Sequence, residues 1–464
     1  MLRLILWNPL LFVWLAWCTQ ALLVLIQVGK FERRVARRRL PGPSAYQPSA
    51  VIIVPFKGYD HDLGANIRAL LAQDYAHYQL IAVVEHEDDP ATAKLRDAFA
   101  QCAAGAQAQI LIAGVAPADS GQKVHNQLAA LEYLDKLHNN LGNNSPNDKN
   151  DKAPEILVFA DSDAVPHNRW LAHLINPLAP VPPPQPNTPA NDPGTPVGAT
   201  TGYRWLIPQL RAQRPGWGSV FASVINSSVA TFLGYGKYTQ AWGGSMAMHA
   251  SFARKHNLRG YLRGGLSDDY QVTRLCRDAG HRVYFVHHCL VPSTIDLNLR
   301  GLLEFGRRQY LITRIHDPAL YYKAVGLMSF YLFALISAWV GGFVAWQMGY
   351  PDVTLCALCA LCAVGLLNQY RAILRRRAIQ SAFGPTMLHH MRRTLWVDRF
   401  ATPVVMAVNL ILLLSAHNNR RLIWRGITYD LQGPQQVTAH REERRTPTPR
   451  RGDDAVTDPS RRGE

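Results

Sequence analysis

Two carboxylates one residue apart, Asp161 and Asp163, close the stretch EILVFADSDA immediately after a run of strand-forming apolar residues. Two further acidic pairs, Asp88 and Asp89 in VEHEDDPA and Asp268 and Asp269 in GGLSDDYQV, occur elsewhere in the chain. Carboxylates gathered at strand ends repel one another unless a cation neutralises them. Mg2+ or Mn2+ on Asp161 and Asp163, shared with a diphosphate, would do so and would offset charge developing on a phosphate leaving group. Asp-x-Asp alone fits equally well the cap of a helix beginning near Pro166, so its surroundings decide. Lys57 follows the first apolar run in VPFKGYD, and GQKVHN places Lys123 and Asn126 at the start of an amphipathic helix. There a cation and an amide could meet a nucleotide's phosphate or sugar. Gly243 and Gly244 in WGGSMAMH form a turn that lets backbone approach a ligand closely. Asp268 and Asp269 open a helix and are available as a general base.

These residues need a scaffold that brings strand ends together. AVIIVPF (50–56), YQLIAVVEH (78–86), AQILIAG (108–114) and EILVFADSD (155–163) are rich in Val, Ile and Leu and alternate with helix-like stretches. That alternation predicts an α/β domain, Rossmann-like, over 49–298, with ligands collected at the carboxyl ends of parallel strands. The segments 139–154 and 179–196, dominated by Asn, Pro, Asp and Gly, read as surface insertions.

The two ends of the chain have another character. Residues 4–28 carry no charged side chain, enough for a helix crossing a hydrocarbon core of about 30 Å. We expect a membrane helix over 1–29, a basic juxtamembrane linker over 30–48, and an amphipathic interfacial segment over 299–323. Membrane helices follow over 324–417, namely 324–349, 353–370 and 396–416. The last contains Asp398, Arg399 and Pro403, which favours a re-entrant or interfacial course. A basic, largely disordered tail is expected from 418 to 464. The net charge of +16 arises from basic clusters beside the hydrophobic segments, which puts the central domain on the cytoplasmic side and attracts anionic phospholipid headgroups. Because those clusters track the membrane segments and no base-stacking motif accompanies them, nucleic-acid binding is excluded. Seven scattered cysteines give no disulfide framework, and Cys356, Cys359 and Cys362 read as small residues on a helix packing face.

VPFKGYD, EHEDDPA, GQKVHN, FADSDA, WGGSMAMH and SDDYQVTRL, in this order, resemble the ceramide glucosyltransferase family, inverting nucleotide-sugar glycosyltransferases with a cytosolic catalytic fold and membrane helices. The resemblance covers about residues 1–330. It implies a GT-A type domain whose Lys57, Asp88, Asp89, Lys123, Asn126, Gly243 and Gly244 serve the nucleotide-sugar donor. It further implies that Asp161 and Asp163 form the metal and sugar-diphosphate motif, and that Asp269, beside Asp268, is the catalytic base. The expected donor is a UDP-hexose, glucose first, and the expected acceptor a membrane lipid such as ceramide, in a bacterial inner membrane.

One departure stands out. The family closes its catalytic region with Gln/Arg-x-x-Arg-Trp, but in FGRRQYLITR, where Arg308 takes the first position, Leu311 and Ile312 replace the Arg-Trp pair. Arg308, together with Arg307, Gln309 and Arg314, is the candidate for phosphate or acceptor contacts; a basic helix resting on headgroups is the other reading. Two rival functions compete with lipid glycosylation. A processive polysaccharide synthase would need enough spans to enclose a polymer, and three or four are few. A catalytically silent scaffold would explain the missing pair but not the retained carboxylates.

Overall fold

The computed structural model describes residues 2–37, 46–58, 63–101, 108–143, 153–180, 195–209, 215–234 and 239–441. The cores of both expected insertions, 144–152 and 181–194, and the tail beyond 441 lie outside them.

Strands β1 (Ala50–Pro55), β2 (Tyr78–Val84), β3 (Ala108–Ile112) and β4 (Ile156–Ala160) alternate with helices, as the apolar runs predict. Helix α1 (Leu2–Ala36) precedes them; α2 (Leu63–Leu71), α3 (Pro90–Gln101) and α4 (Gln122–Asn143) connect them. β1 and β4 are buried along their whole length, because helices cover both sheet faces and leave no position for a polar residue. The next elements are α5 (Trp170–Ile175), β5 (Val197–Pro208), α6 (Trp217–Phe232) and β6 (Ser245–His249). Helices α7 (Ala250–Lys255), α8 (Leu258–Leu262) and α9 (Asp268–Asp278) lead to β7 (Arg282–Ile295).

The strand order is β3-β2-β1-β4-β6-β5-β7. β1 pairs in parallel with both β2 and β4, so the direction of winding switches between β1 and β4. In such sheets the crevice at the switch point receives the ligand. β6 runs antiparallel to β4, with Ser245 opposite Ala160, which sets the Gly243-Gly244 turn beside Asp161. β5 and β7 pair in parallel out to Pro208 and Ile295 and extend the far wall of the same crevice.

Helix α10 (Leu299–His316) leaves this domain, followed by α11 (Pro318–Gln347) and α12 (Pro351–Phe383). α1, α11 and α12 are long and apolar enough to cross a membrane. Trp7, Trp14 and Trp17 of α1 pack on Tyr331, Ala334 and Ala338 of α11 and on Val353, Ala357 and Ala360 of α12. Small residues let the helices approach: a Cβ on Gly342 would stand 2.9 Å from that of Ala357. The cysteines do not serve this face, contrary to expectation; Cys356, Cys359 and Cys362 are exposed, because the packed stripe of α12 follows Val353, Ala357, Ala360 and Val364.

Short α13 (Pro385–His390) precedes α14 (Arg392–Phe400) and α15 (Thr402–Ser415), which meet at a 95° bend, the geometry of a broken span or re-entrant loop. One of the charges that argue against a crossing at 396–416 is neutralised by partners: buried Asp398 accepts from Arg375 at 2.7 Å and from Arg371 at 3.2 Å, whereas Arg399 is exposed and donates to Gln369 at 2.6 Å.

The expectation of a largely disordered tail from 418 fails for 421–440. Strands β8 (Arg421–Trp424), β9 (Ile427–Gly433) and β10 (Gln436–His440) form an antiparallel sheet that buries Leu422, Ile427, Tyr429, Leu431 and Val437 against Leu311, Tyr321 and Leu413. Alternate apolar residues, masked in the composition by abundant charge, give this sheet its buried face.

Candidate active site

A cleft of about 700 Å3 opens at the switch point, bounded by β1, β4, α4, α9, the ends of β5 and β7, α10 and the β8–β9 hairpin. Lys57, Lys123, Asn126, Asp161, Asp163, Gly243, Asp268, Asp269, Arg308 and Gln309 line it, ten of the residues singled out in the sequence.

Lys123, on the first turn of α4, organises the acidic side. Its Nζ lies 2.7 Å from Asp161 Oδ1 and 3.0 Å from Asp268 Oδ1. Burial alone would lower its pKa, but Asp161, Asp268 and Asp269 outweigh that and hold the ammonium well above its ordinary value. Asp268 is buried and also accepts from Gln127 at 2.6 Å. Gly243 is required here by close approach: a Cβ would fall 2.5 Å from Asp268 Oδ2 and 2.7 Å from Lys123 Nζ. Gly244 is not in the lining; it makes room for the Trp242 ring, 2.2 Å from where its Cβ would stand.

Asp269 differs from its neighbour. It accepts from Ser267 Oγ and, at 2.8 Å, from the Tyr270 backbone N–H, and is partly open to the cleft. Burial first, and the charge of Asp268 second, push its carboxyl up to about 6, against the pull of Lys123, Ser267 and Tyr270. An ordinary Asp near 3.9 is a weak base; this one is tuned toward neutral pH.

The first acidic motif is arranged otherwise than expected. Asp88 is exposed and Asp89 does not line the cleft. Asp89 accepts from Gly58 N at 3.0 Å and Ala91 N at 2.9 Å, tying the start of α3 to the loop after β1. The acid that this strand end buries is Glu85, which pairs with Lys57 and, at 2.8 Å, with Arg441. Asn126 donates to Val83 O at 3.1 Å and accepts from Gln122 at 2.7 Å, so it braces β2 while lining the cleft.

Opposite the carboxylates stands a cationic and aromatic wall. Arg308 and Gln309 line it with Phe305 and Ile312 from the same face of α10. The Arg308 guanidinium lies 5.5 Å from the Phe305 ring and 5.6 Å from that of Trp424, and Arg204 lies 5.4 Å from Phe305. Burial, then repulsion from Arg204 and Arg425, lower Arg308 to about 10 against the attraction of Asp163. Arg314 is turned away, donating to Asn419 O at 2.6 Å. Sequence reasoning missed Glu85, Gln127, Arg204, Trp424, Arg425 and Tyr429. The hairpin had a signal, Arg-Gly between the apolar runs of RLIWRGITY, and both turn residues have positive φ, 52° for Arg425 and 77° for Gly426.

Among the described residues no group of three or more His, Cys, Asp or Glu is placed to surround an ion. Asp161 and Asp163 alone suit a hard cation that draws its remaining oxygens from a diphosphate and water, the manner of Mg2+ or Mn2+.

Residues 14–130 match the model of glycosyl transferase family 21. No curated protein matches the chain. Among solved structures, a mannosyltransferase from Pyrobaculum calidifontis, in complex with GDP-Man and Mn2+, is 16% identical over 85% of this chain and 99% of its own, with a TM-score of 0.38. Glucosyl-3-phosphoglycerate synthase from Mycobacterium tuberculosis, in complex with Mn2+ and UDP-glucose, is 14% identical over 62% of this chain and 82% of its own, with a TM-score of 0.33. At those scores neither likeness carries an argument about this site. The family match ends before Asp161, so it bears on β1 to α4 and not on the later carboxylates. Over residues 14–130 the chain is thus similar to glycosyl transferase family 21, and that match supports a glycosyltransferase.

Proposed function

We propose that the protein transfers a hexose, glucose first, from a UDP-sugar to the hydroxyl of a membrane lipid such as ceramide, with inversion and with Mg2+ or Mn2+. The observation that carries this reading is the division of the cleft. A carboxylate raised to about 6 sits beside an acidic and lysine cluster, facing arginines, at the root of the helix that leads into the membrane segments.

Asp161 and Asp163 would hold the divalent ion, which supplies charge neutralisation for the diphosphate. Lys123 holds Asp161 and Asp268 in place. Asp269 accepts the proton of the acceptor hydroxyl as that oxygen bonds to the anomeric carbon. The bond from that carbon to the diphosphate breaks on the opposite side, and the diphosphate leaves with the electron pair. Asp268, buried and doubly held, positions Lys123 and raises Asp269 rather than taking the proton itself. A lipid acceptor fits the approach from α10, whose cleft face presents Phe305 and Ile312 and whose end runs into α11. Basic Arg33 and Arg34 at the end of α1 support a cytoplasmic catalytic domain, where nucleotide sugars are made.

The test is incubation of membranes carrying the protein with a panel of labelled nucleotide sugars, followed by mass analysis of extracted lipids. One lipid gaining one hexose from a UDP donor is the expected result. No lipid-linked sugar from any donor would defeat the proposal, and a ladder of product lengths would favour a polymer synthase.

A further inference from the structure

We propose that the hairpin residues Trp424 and Arg425, with Arg204 and Arg308, build a phosphate-binding wall that takes the place of the Arg-Trp pair absent from α10. The inference rests on the transferase reading above and names the part of the site that grips the phosphate group.

α10 cannot supply the pair from its own positions. Leu311 is wholly buried with Tyr321, Leu413 and Tyr429 and points into the core rather than the cleft. Ile312 does line the cleft but is apolar. The hairpin brings an aromatic ring and a guanidinium to the same cleft from 113 residues further on, counted from Leu311 to Trp424. The Trp424 ring flanks Arg308, and Arg425 is near enough to lower the Arg308 pKa.

Asp163 and Asp296 line the same cleft, but two of the wall's arginines stand apart from them. Among the described residues neither Arg204 nor Arg308 forms an ion pair, and Arg204 Nε is buried without a hydrogen-bond partner. Cations held together in a half-enclosed site repel unless an anion joins them, and the guanidinium fork matches the oxygens of a phosphate. The turn itself is an unusual place for arginine: at φ 52° Asn or Gly is the comfortable residue. The sheet that carries it is firmly tied down. Arg441 reaches Glu85 at 2.8 Å and Gln122 at 2.6 Å, Ala439 N donates to Ala118 O at 2.6 Å, and Gln271 donates to Pro434 O at 2.7 Å. The ligand class is a phosphate or diphosphate oxyanion. Attraction between Arg308 and Asp163 puts the wall across from the proposed metal motif, which favours the donor's diphosphate over a lipid headgroup.

The test uses the full chain in nonionic detergent. Calorimetric titrations with UDP and with inorganic pyrophosphate, both with MgCl2, would be run on Arg425→Asn, Trp424→Ala and the exposed control Arg300→Ala. Asn suits the left-handed turn, so Arg425→Asn removes the charge while keeping the hairpin even where Trp424→Ala fails to fold. Each hairpin variant should weaken both ligands about 10- to 100-fold, as loss of a charge-assisted contact does, and the control should not. A parallel arm measures association with phosphatidylcholine vesicles with and without phosphatidylglycerol. Loss confined to that arm would support a headgroup phosphate as the occupant. Unchanged affinity in every arm for a folded Arg425→Asn would overturn the inference. Normal sugar transfer with unchanged binding in that variant sinks this inference alone. Arg425-dependent pyrophosphate binding without any sugar transfer sinks only the transferase reading.

Discussion

The two sides of the cleft are built on opposite electrostatic terms. On the acidic side the carboxylates are held by partners within the chain: Lys123 bridges Asp161 and Asp268, Gln127 holds Asp268, and Ser267 holds Asp269. On the basic side Arg204 and Arg308 lie on aromatic faces and have no carboxylate within ion-pair distance among the described residues. On the proposed reading the acidic side is therefore preorganised for proton transfer. On the same reading a bound phosphate supplies the basic side's neutralising partner, so its arginines serve binding more than folding.

This contrast breaks most visibly at Lys123. Replacing it with Met leaves buried Asp268 beside Asp161 without a cation, which should cost roughly 3–5 kcal/mol of stability, read as a lowered denaturation midpoint. Gly243→Ala should cost less, about 1–3 kcal/mol, because the Asp268 carboxylate or the Lys123 ammonium must shift to admit a Cβ. Its transfer rate should fall with the displaced lysine. On the other wall, Arg308→Ala should change stability by less than about 1 kcal/mol, since loss of the aromatic contact is offset by relief of repulsion from Arg204 and Arg425. Donor binding should nevertheless weaken. A larger stability loss there than at Lys123 would abolish the distinction between the two walls.

The acidic side was readable in the sequence because its residues end parallel strands or open helices, and the run of apolar residues before them marks those ends. Asp161, Asp163, Lys123, Asp268 and Asp269 all reached the cleft for that reason. The reading failed one turn beyond β2. There two visible acids, Asp88 and Asp89, drew attention from Glu85, whose burial depends on Lys57 and on Arg441 from the far end of the chain. The basic side was hardly readable. Arg204 lies in the extended part of β5, and Trp424 and Arg425 belong to a hairpin whose charge resembles that of a solvated tail. Its apolar alternation acquires meaning only once Leu311 and Leu413 are seen beneath it. The membrane helices followed from length and apolarity. The pairing of Asp398 with Arg371 and Arg375 did not, because it joins α14 to α12 across a bend that composition does not reveal.

The most direct test of the account is the pH dependence of sugar transfer by the wild type and Asp269→Asn, with nucleotide binding measured on both. A base must be deprotonated to act, so kcat/KM should rise with pH, reach half its maximum near pH 6 and level off above it. Asp269→Asn should bind UDP as the wild type does, lose transfer by about a thousand-fold and lose that pH dependence. Transfer by Asp269→Asn at the wild-type rate, with the same rise through pH 6, would contradict it.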